Sequence, residues 1–191
     1  SALCLAALLA TCAGSPSSSL GELPRSPDAS IEQLLEQAAA AKSPDQAALL
    51  KLTAADLAAR QNNPSRAASI LEQVQMDQLK TDKQIYANTL SAELALGRSQ
   101  PKAALTALNH PSMQHLGEMP VDLQTRAHTV RARAFEADGQ TLAAESERVF
   151  MGPLLQGDAL NANNDAIWTL VAALPPEQLQ SSANDDMGGL S

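Results

Sequence analysis

The chain has 191 residues, enough for one domain or one short array of repeats. Hydrophobic residues make up 45% and aromatic residues only 2%, so the apolar material is mostly alanine and leucine, which favours helices over strands. The net charge of −8 would repel a phosphate backbone, which excludes nucleic acid from the expected partners.

Residues 2–11 form an apolar, uncharged run that ends at Cys12. This run is far shorter than the roughly 20 residues of a membrane-spanning helix, but it suits the apolar region of a signal peptide. We therefore interpret residues 1–11 as the remnant of a signal peptide. The alternative is a short buried helix of a cytosolic protein, with Cys12 as an ordinary apolar residue.

The join Leu9–Cys12 resembles the lipobox of bacterial lipoproteins, in which cleavage leaves an amino-terminal, lipid-modified cysteine; Thr11 departs from the usual Gly, Ala or Ser. The resemblance implies lipidation of Cys12, and Ala13 in place of aspartate after it favours the outer membrane. We expect the chain to be lipid-anchored on the periplasmic side of that membrane. Residues 12–29 are rich in Ser, Pro and Gly, which predicts a lipidated cysteine followed by a flexible tether.

Residues 30–180 carry a regular succession of helix signals. Ser30 can cap the first helix with Gln33 in the capping-box position, and prolines open several later helices. Apolar residues recur at helical spacing, and no stretch alternates with a period of two, so no sheet is predicted. The predicted helices begin near Ile31, Pro44, Ser65, Thr81, Pro101, Pro120, Leu142 and Asn161.

Two of the predicted helix junctions are copies of one another. Leu57–Leu71 aligns with Leu94–Leu108 at an offset of 37 residues, and a weaker third copy, Phe135–Val149, follows. A period of about 34–40 residues with one helix pair per unit is typical of tetratricopeptide repeats. The sequence therefore predicts an all-α, tetratricopeptide-like solenoid of helical hairpins over residues 30–180, with about four helix pairs.

Residues that could carry chemistry are few. His110 and His115 lie in a predicted loop without a cysteine nearby, so too few ligands converge for a metal site. Glu145 and Ser146 resemble the Glu-Ser pair of lytic transglycosylases, but the other stretches that those enzymes need are missing. No phosphate-binding loop or nucleophile elbow occurs either. We predict no catalytic residue, no metal and no cofactor, and hence no enzyme.

Three residues form a candidate interaction face. Arg126 and Arg133 lie seven residues apart on the sixth predicted helix and share one side of it. This side is either a solvated surface balanced by nearby acids or a groove for an anionic ligand or partner. Trp168 is expected in the core of the last helix pair; alternatively it anchors an interface, where tryptophan is enriched.

Several late segments resemble the N-terminal domain of the LpoA family, and residues 49–71 match its early helices more loosely. The late segments are Gly139–Leu142, Pro153–Gly157, Asn161, Asn164–Leu170 and Leu174–Leu179. LpoA proteins are outer-membrane lipoproteins that activate a class A penicillin-binding protein. The resemblance implies a helical N-terminal domain followed by a second domain, similar to periplasmic solute-binding proteins, that docks on the synthase.

The resemblance also implies a function. Residues 181–191 would be a polar tail or a linker to a C-terminal domain that this chain lacks. The predicted function is non-catalytic regulation of peptidoglycan synthesis, with a class A penicillin-binding protein as partner through that absent domain and peptidoglycan as a further candidate. The alternative is a tetratricopeptide lipoprotein that assists the assembly of outer-membrane proteins or pili.

Overall fold

A computed structural model describes residues 29–180, which fold into helices without a strand. The α-helices are α1 (Ile31–Ala40), α2 (Pro44–Arg60), α3 (Pro64–Leu71), α4 (Thr81–Gly97), α5 (Pro101–Leu108), α6 (Val121–Ala137), α7 (Thr141–Met151) and α8 (Gly157–Ala172). The predicted all-α fold is confirmed. Within this part of the chain, no helix has the length and hydropathy of a bilayer-spanning segment. The predicted signal-peptide remnant, most of the tether and the polar tail lie outside the described residues.

The helix starts follow local chemistry. Ser30 caps α1 in a full capping box: its side chain accepts the Gln33 N–H at 3.2 Å, and Gln33 Oε1 accepts the Ser30 N–H at 2.9 Å. Helices α2, α3 and α5 each begin with a proline, whose missing N–H costs nothing in the first turn. Helix α8 begins at Gly157, four residues before the predicted Asn161.

Long and short helices alternate to build three hairpins. The long helices α2, α4 and α6 have 17 residues each, and the short helices α3, α5 and α7 have 8, 8 and 11. Each long helix packs on the short helix that follows it, and successive long helices contact one another. Helix α1 packs on α2 at one end of the array, and α8 packs on α7 at the other. The result is the predicted solenoid.

All three hairpin turns have the same backbone. A residue with positive φ follows the end of each long helix. The N–H of the next residue donates to the carbonyl oxygen five residues earlier, which completes a Schellman motif. The residues with positive φ are Asn62 (58°), Ser99 (58°) and Gly139 (77°). The closing bonds run from Asn63 N to Ala58 O (2.9 Å), Gln100 N to Ala95 O (2.9 Å) and Gln140 N to Phe135 O (2.8 Å). The third copy of the repeat has a weak sequence match, but its turn has the same backbone geometry as the other two.

Alanines line the contacts within the hairpins. Ala67, Ala104 and Ala144 occupy equivalent positions in α3, α5 and α7, and each is 0% exposed. A methyl side chain lets two helix axes approach more closely than a leucine does. The connected core runs from Ile31 to Ala134 and includes no residue of α8, in which only Asn163 is buried.

Candidate interaction face

Arg126 of α6 reaches across to α4. Its Nη2 donates to Glu93 Oε2 at 2.8 Å, its Nε donates to Glu93 Oε1, and its Nη1 donates to Tyr86 Oη at 2.8 Å. The hydrogen bonds and charge of Glu93 outweigh the effect of burial and raise the pKa of Arg126. Arg126 is thus an ionised connector between two long helices, with about a third of its side chain accessible.

The same network continues into α2. Tyr86 Oη donates to Asp56 Oδ1 at 2.8 Å, and Arg60 Nη2 lies 2.7 Å from Asp56 Oδ2. Asp56 is only 4% exposed, and Arg126 Nη2 also lies 3.8 Å from its Oδ1, so these partners compensate its buried charge. Burial, together with the negative charge of Asp56, raises the pKa of the Tyr86 hydroxyl despite the opposing charge of Arg126. One polar network therefore ties α2, α4 and α6 together.

The network follows the repeat. Asp56 and Glu93 are 37 residues apart and occupy the same position of successive long helices; each accepts a hydrogen bond from the next long helix. The donors, Tyr86 and Arg126, are likewise equivalent at the 40-residue offset. Arg133 occupies the acceptor position in the third copy. It is exposed and has no ion-pair partner within residues 29–180.

The two predicted arginines thus have different environments. Arg126 is held between repeats, whereas Arg133 remains available on the surface of α6. Sequence reasoning missed the partners Asp56, Tyr86 and Glu93. The signal that could have found them is the repeat offset itself, because it places the two acids at one position of the hairpin.

A second polar cluster fastens α7 to α6. His128 Nδ1 contacts Glu147 Oε1, and Arg131 Nη1 lies 3.3 Å from the same oxygen. Arg131 Nη2 also donates to Leu108 O at 2.9 Å, at the end of α5. Burial alone would raise the pKa of Glu147, but the hydrogen bond from His128 and the charge of Arg131 lower it overall. The ring of Phe150 packs 5.1 Å from that of His128.

The remaining histidines do not assemble a site. The loop expected around them is a 3-10 helix over Pro111–Glu118, which packs on α4. His110 Nδ1 accepts the Ser112 N–H at 3.2 Å and so caps this helix, and His115 contacts Glu118 at 3.2 Å. Between residues 29 and 180, no three His, Cys, Asp or Glu side chains cluster as metal ligands would.

A groove of about 340 Å³ lies between α3 and α4. Small residues form much of its wall, and Glu72, Glu93 and Arg98 contribute charges of both signs. In the described part of the chain, one buried side-chain atom lacks a hydrogen-bond partner, Asn163 Oδ1, and it does not line this groove. The groove therefore has no buried polar group that would select a ligand.

Trp168 lies on the surface. Its side chain is 72% exposed on α8, so the expectation that it belongs to the core of the last helix pair is wrong. Phe150 and Val149 of α7 are also 66% and 54% exposed. The interpretation of Trp168 as an interface anchor stays a prediction.

The chain is similar to a known family and to solved structures. Residues 24–191 match the family described as "LppC putative lipoprotein". The N-terminal domain of LpoA from Haemophilus influenzae is similar with a TM-score of 0.53 and 19% identity, over 83% of this chain and 71% of that one. The amino-terminal domain of E. coli LpoA gives a TM-score of 0.55 and 18% identity, over 78% and 65%.

Full-length LpoA from H. influenzae is similar with a TM-score of 0.54 and 18% identity over 83% of this chain. The match covers only 28% of that longer protein. No curated protein matches the chain. At these identities the structural likeness shows the fold, and it confirms the resemblance to LpoA N-terminal domains seen in the sequence. Because the family match covers residues 24–191, the chain belongs to the LppC family of lipoproteins.

Proposed function

We propose that the chain is the helical part of an LpoA-type lipoprotein on the periplasmic side of the outer membrane. The protein regulates peptidoglycan synthesis by activating a class A penicillin-binding protein and catalyses no reaction itself. The observation that carries the proposal is the match of residues 24–191 to a lipoprotein family, joined to the fold of LpoA N-terminal domains.

In this proposal the described helices act as a spacer. Lipidated Cys12 holds the chain in the membrane, and residues 13–29, fully stretched, reach on the order of 55 Å. The three stacked hairpins, with helix axes about 10 Å apart, add roughly 30 Å of ordered structure. The network from Asp56 to Glu93 supports a rigid arm, because it links all three long helices.

The state of the carboxylates supports a non-catalytic role. A general acid at neutral pH needs a raised carboxyl pKa, whereas the partners of Glu147 lower its pKa. Asp56 and Glu93 are also engaged with Arg126, which joins α6 to α2 and α4. The buried acids of the described residues are therefore accounted for by packing between repeats.

A glycan-polymerisation assay tests the function. A purified class A penicillin-binding protein would be measured with the 191-residue chain and with a longer protein that includes a C-terminal domain. We expect stimulation by the longer protein and none by the chain alone. Strong stimulation by the chain alone would overturn the spacer role, and no stimulation by either protein would overturn the regulatory function.

The anchor has its own test. Cys12→Ala is expected to abolish incorporation of labelled fatty acid and release the protein from the membrane fraction, because no other residue receives the lipid in this proposal. Cys4→Ala is the matched control and should leave both unchanged. Equal labelling of the two variants would contradict lipidation at Cys12.

Depletion of the protein from cells tests the alternative function. A loss of outer-membrane proteins or pili, with normal glycan synthesis, would favour the assembly-factor alternative.

A further inference from the structure

The groove between α3 and α4 lies inside the array of helices. Helix α3 packs on α2 and α4, and α4 packs in addition on α5 and α6, so both walls have neighbours of their own. The groove is therefore a seam between the first two hairpins rather than a face at the end of the described chain. Its volume of about 340 Å³ lies at the lower end of the range for small-ligand sites, roughly 300–1,000 Å³.

Two charges of opposite sign line this groove without pairing. Glu72 lies at the C-cap of α3 and Arg98 at the C-cap of α4. Both are exposed, and neither forms an ion pair within residues 29–180. Ser65 at the start of α3 lines the groove beside Gly97 at the end of α4, so the two helices are antiparallel and the charges enter from opposite ends. Because the groove has no buried polar group, selection falls to these charges at its rim.

Three serine hydroxyls in the groove are also free. Ser65, Ser69 and Ser91 line it, and their side chains have no hydrogen-bond partner within residues 29–180. Threonines inside the helices behave differently, because each donates to the carbonyl oxygen four residues earlier. These threonines are Thr53, Thr89, Thr106 and Thr169. The free hydroxyls can both donate to and accept from the amide groups of a ligand.

We propose that the groove binds a short peptide with free ends, with its ammonium group at Glu72 and its carboxylate at Arg98. A ligand with both charges compensates both side chains, whereas a purely cationic or anionic ligand leaves one of them unpaired. The guanidinium group also matches the planar geometry of a carboxylate. Between the charges, Ala68 and Leu94 offer apolar surface to small side chains of the peptide.

The length of the groove sets the size of the peptide. On α4 its wall runs from Ser91 to Arg98, which is about 10 Å along the helix axis. An extended chain of three residues covers about the same length. The inference goes beyond the proposed function, because it assigns a ligand site to helices that otherwise act as a spacer.

Titration of the isotope-labelled 191-residue chain with trialanine, followed by nuclear magnetic resonance, tests the site. We expect saturable shifts of backbone amides in α3 and α4. Acetylation of the amino end or amidation of the carboxyl end of the peptide should each weaken binding about threefold, as for exposed charge pairs. The peptide blocked at both ends should bind about tenfold more weakly than the free peptide.

Charge variants assign each end of the peptide. In Glu72→Gln, acetylation of the peptide should no longer matter, but amidation should still weaken binding. In Arg98→Gln the reverse is expected. Glu145→Gln on α7 and Arg133→Gln on α6 are the matched controls, since both lie outside the groove, and they should keep both effects.

A variant that fills the groove separates binding in it from binding elsewhere. Ser69 is exposed, so Ser69→Phe should leave the helix content unchanged while it weakens binding of the free peptide at least tenfold. Ser146 is the equivalent residue of α7, 77 residues later, and Ser146→Phe is the matched control that should bind normally. Circular dichroism verifies that both variants fold.

Four results would overturn the proposal. The first is the absence of saturable shifts, and the second is equal affinity for the free and the doubly blocked peptide. The third is unchanged binding by Ser69→Phe. The fourth is a shift of the same amides when the concentration of the chain alone rises, which would make a second copy the occupant. None of these results touches the glycan-polymerisation assay, so the two proposals fail separately.

Discussion

Helices α6 and α8 have nearly the same length, 17 and 16 residues, yet they are buried very differently. Helix α6 contains three arginines and still buries six of its residues. Helix α8 contains no basic residue and several large apolar ones, but buries only Asn163. The difference teaches that burial in a solenoid is set by the number of neighbours of a helix rather than by its own hydrophobicity.

The same contrast applies to charged residues. Between the hairpins, Asp56, Glu93 and Arg126 each have partners on a neighbouring long helix, so their cost of burial is compensated. Arg133 on α6 and the aspartates of α8 instead face solvent. The three hairpins from α2 to α7 form the closed part of the described structure and use polar residues for cohesion, whereas the charges of α8, its open end, stay exposed.

The largest effect should come from the core of the closed part. Leu52 of α2 is 0% exposed, and Leu52→Ala should lower the free energy of unfolding by about 2–5 kcal/mol, because it removes apolar contacts and leaves a cavity. Trp168→Ala removes a larger but exposed side chain from α8, and it should change the free energy of unfolding by less than about 0.5 kcal/mol. Urea denaturation followed by circular dichroism measures both. Similar losses in the two variants would mean that α8 is as well packed as α2.

A smaller effect is expected from the network between repeats. Arg126→Gln should destabilise the chain by about 2–3 kcal/mol, because Glu93 loses its charged partner in a partly buried site. Arg133→Gln, on the same helix, is the control and should stay within about 0.5 kcal/mol. Adding Glu93→Gln to Arg126→Gln should recover part of the loss, since it removes the uncompensated charge. Strict additivity of the two changes would show that the residues are not coupled.

The cluster of His128, Arg131 and Glu147 predicts a pH dependence of the free energy of unfolding. Folding lowers the pKa of Glu147 from its ordinary value of 4.5, so its stabilisation is complete above that value and is lost as the pH falls through the lower, folded pKa. At neutral pH, Glu147→Gln should cost on the order of 1–2 kcal/mol in the free energy of unfolding. The difference from the parent chain should shrink as the pH falls below 4.5 and through the lower, folded pKa.

Urea denaturation across this pH range measures the dependence on Glu147. Glu145→Gln, two residues earlier on α7, is the matched control, because no ion pair of Glu145 occurs within residues 29–180. Glu145→Gln should have little effect on the free energy of unfolding at neutral or at acid pH. A cost of Glu147→Gln that stays constant from neutral to acid pH would contradict the role of its charge.

The helices were predictable because their signals are local. The capping box at Ser30, the prolines and the apolar spacing act within a few residues of each helix end. The 3-10 helix over Pro111–Glu118 was not, because distant contacts support it, such as Asn88 Nδ2 to Ser112 Oγ at 3.3 Å. The start of α8 was missed because Gly157, at a φ of 56°, does not resemble a side-chain cap.

The candidate site was less predictable for the same reason. Seven-residue spacing places Arg126 and Arg133 on one side of α6, but it cannot reveal that Glu93, 33 residues earlier, meets only the first. The apolar sequence around Trp168 suggested burial, although burial depends on whether another element covers the helix. The local sequence pattern therefore predicts the helices well. To predict contacts between repeats, the register of one repeat against the next must also be known.

The smallest predicted effect concerns the turns that make the closed part regular. Ser99 and Gly139 occupy equivalent positions with positive φ, where a side chain costs roughly 1 kcal/mol that glycine avoids. Ser99→Gly should therefore raise the free energy of unfolding by several tenths of a kcal/mol, after the greater flexibility of glycine in the unfolded chain is offset. Gly139→Ala should lower it by about 1 kcal/mol through backbone strain alone, because a Cβ there meets no atom within 4 Å. Both changes can be measured by thermal denaturation. A loss for Ser99→Gly would mean that the three turns, alike in geometry, differ in what stabilises them.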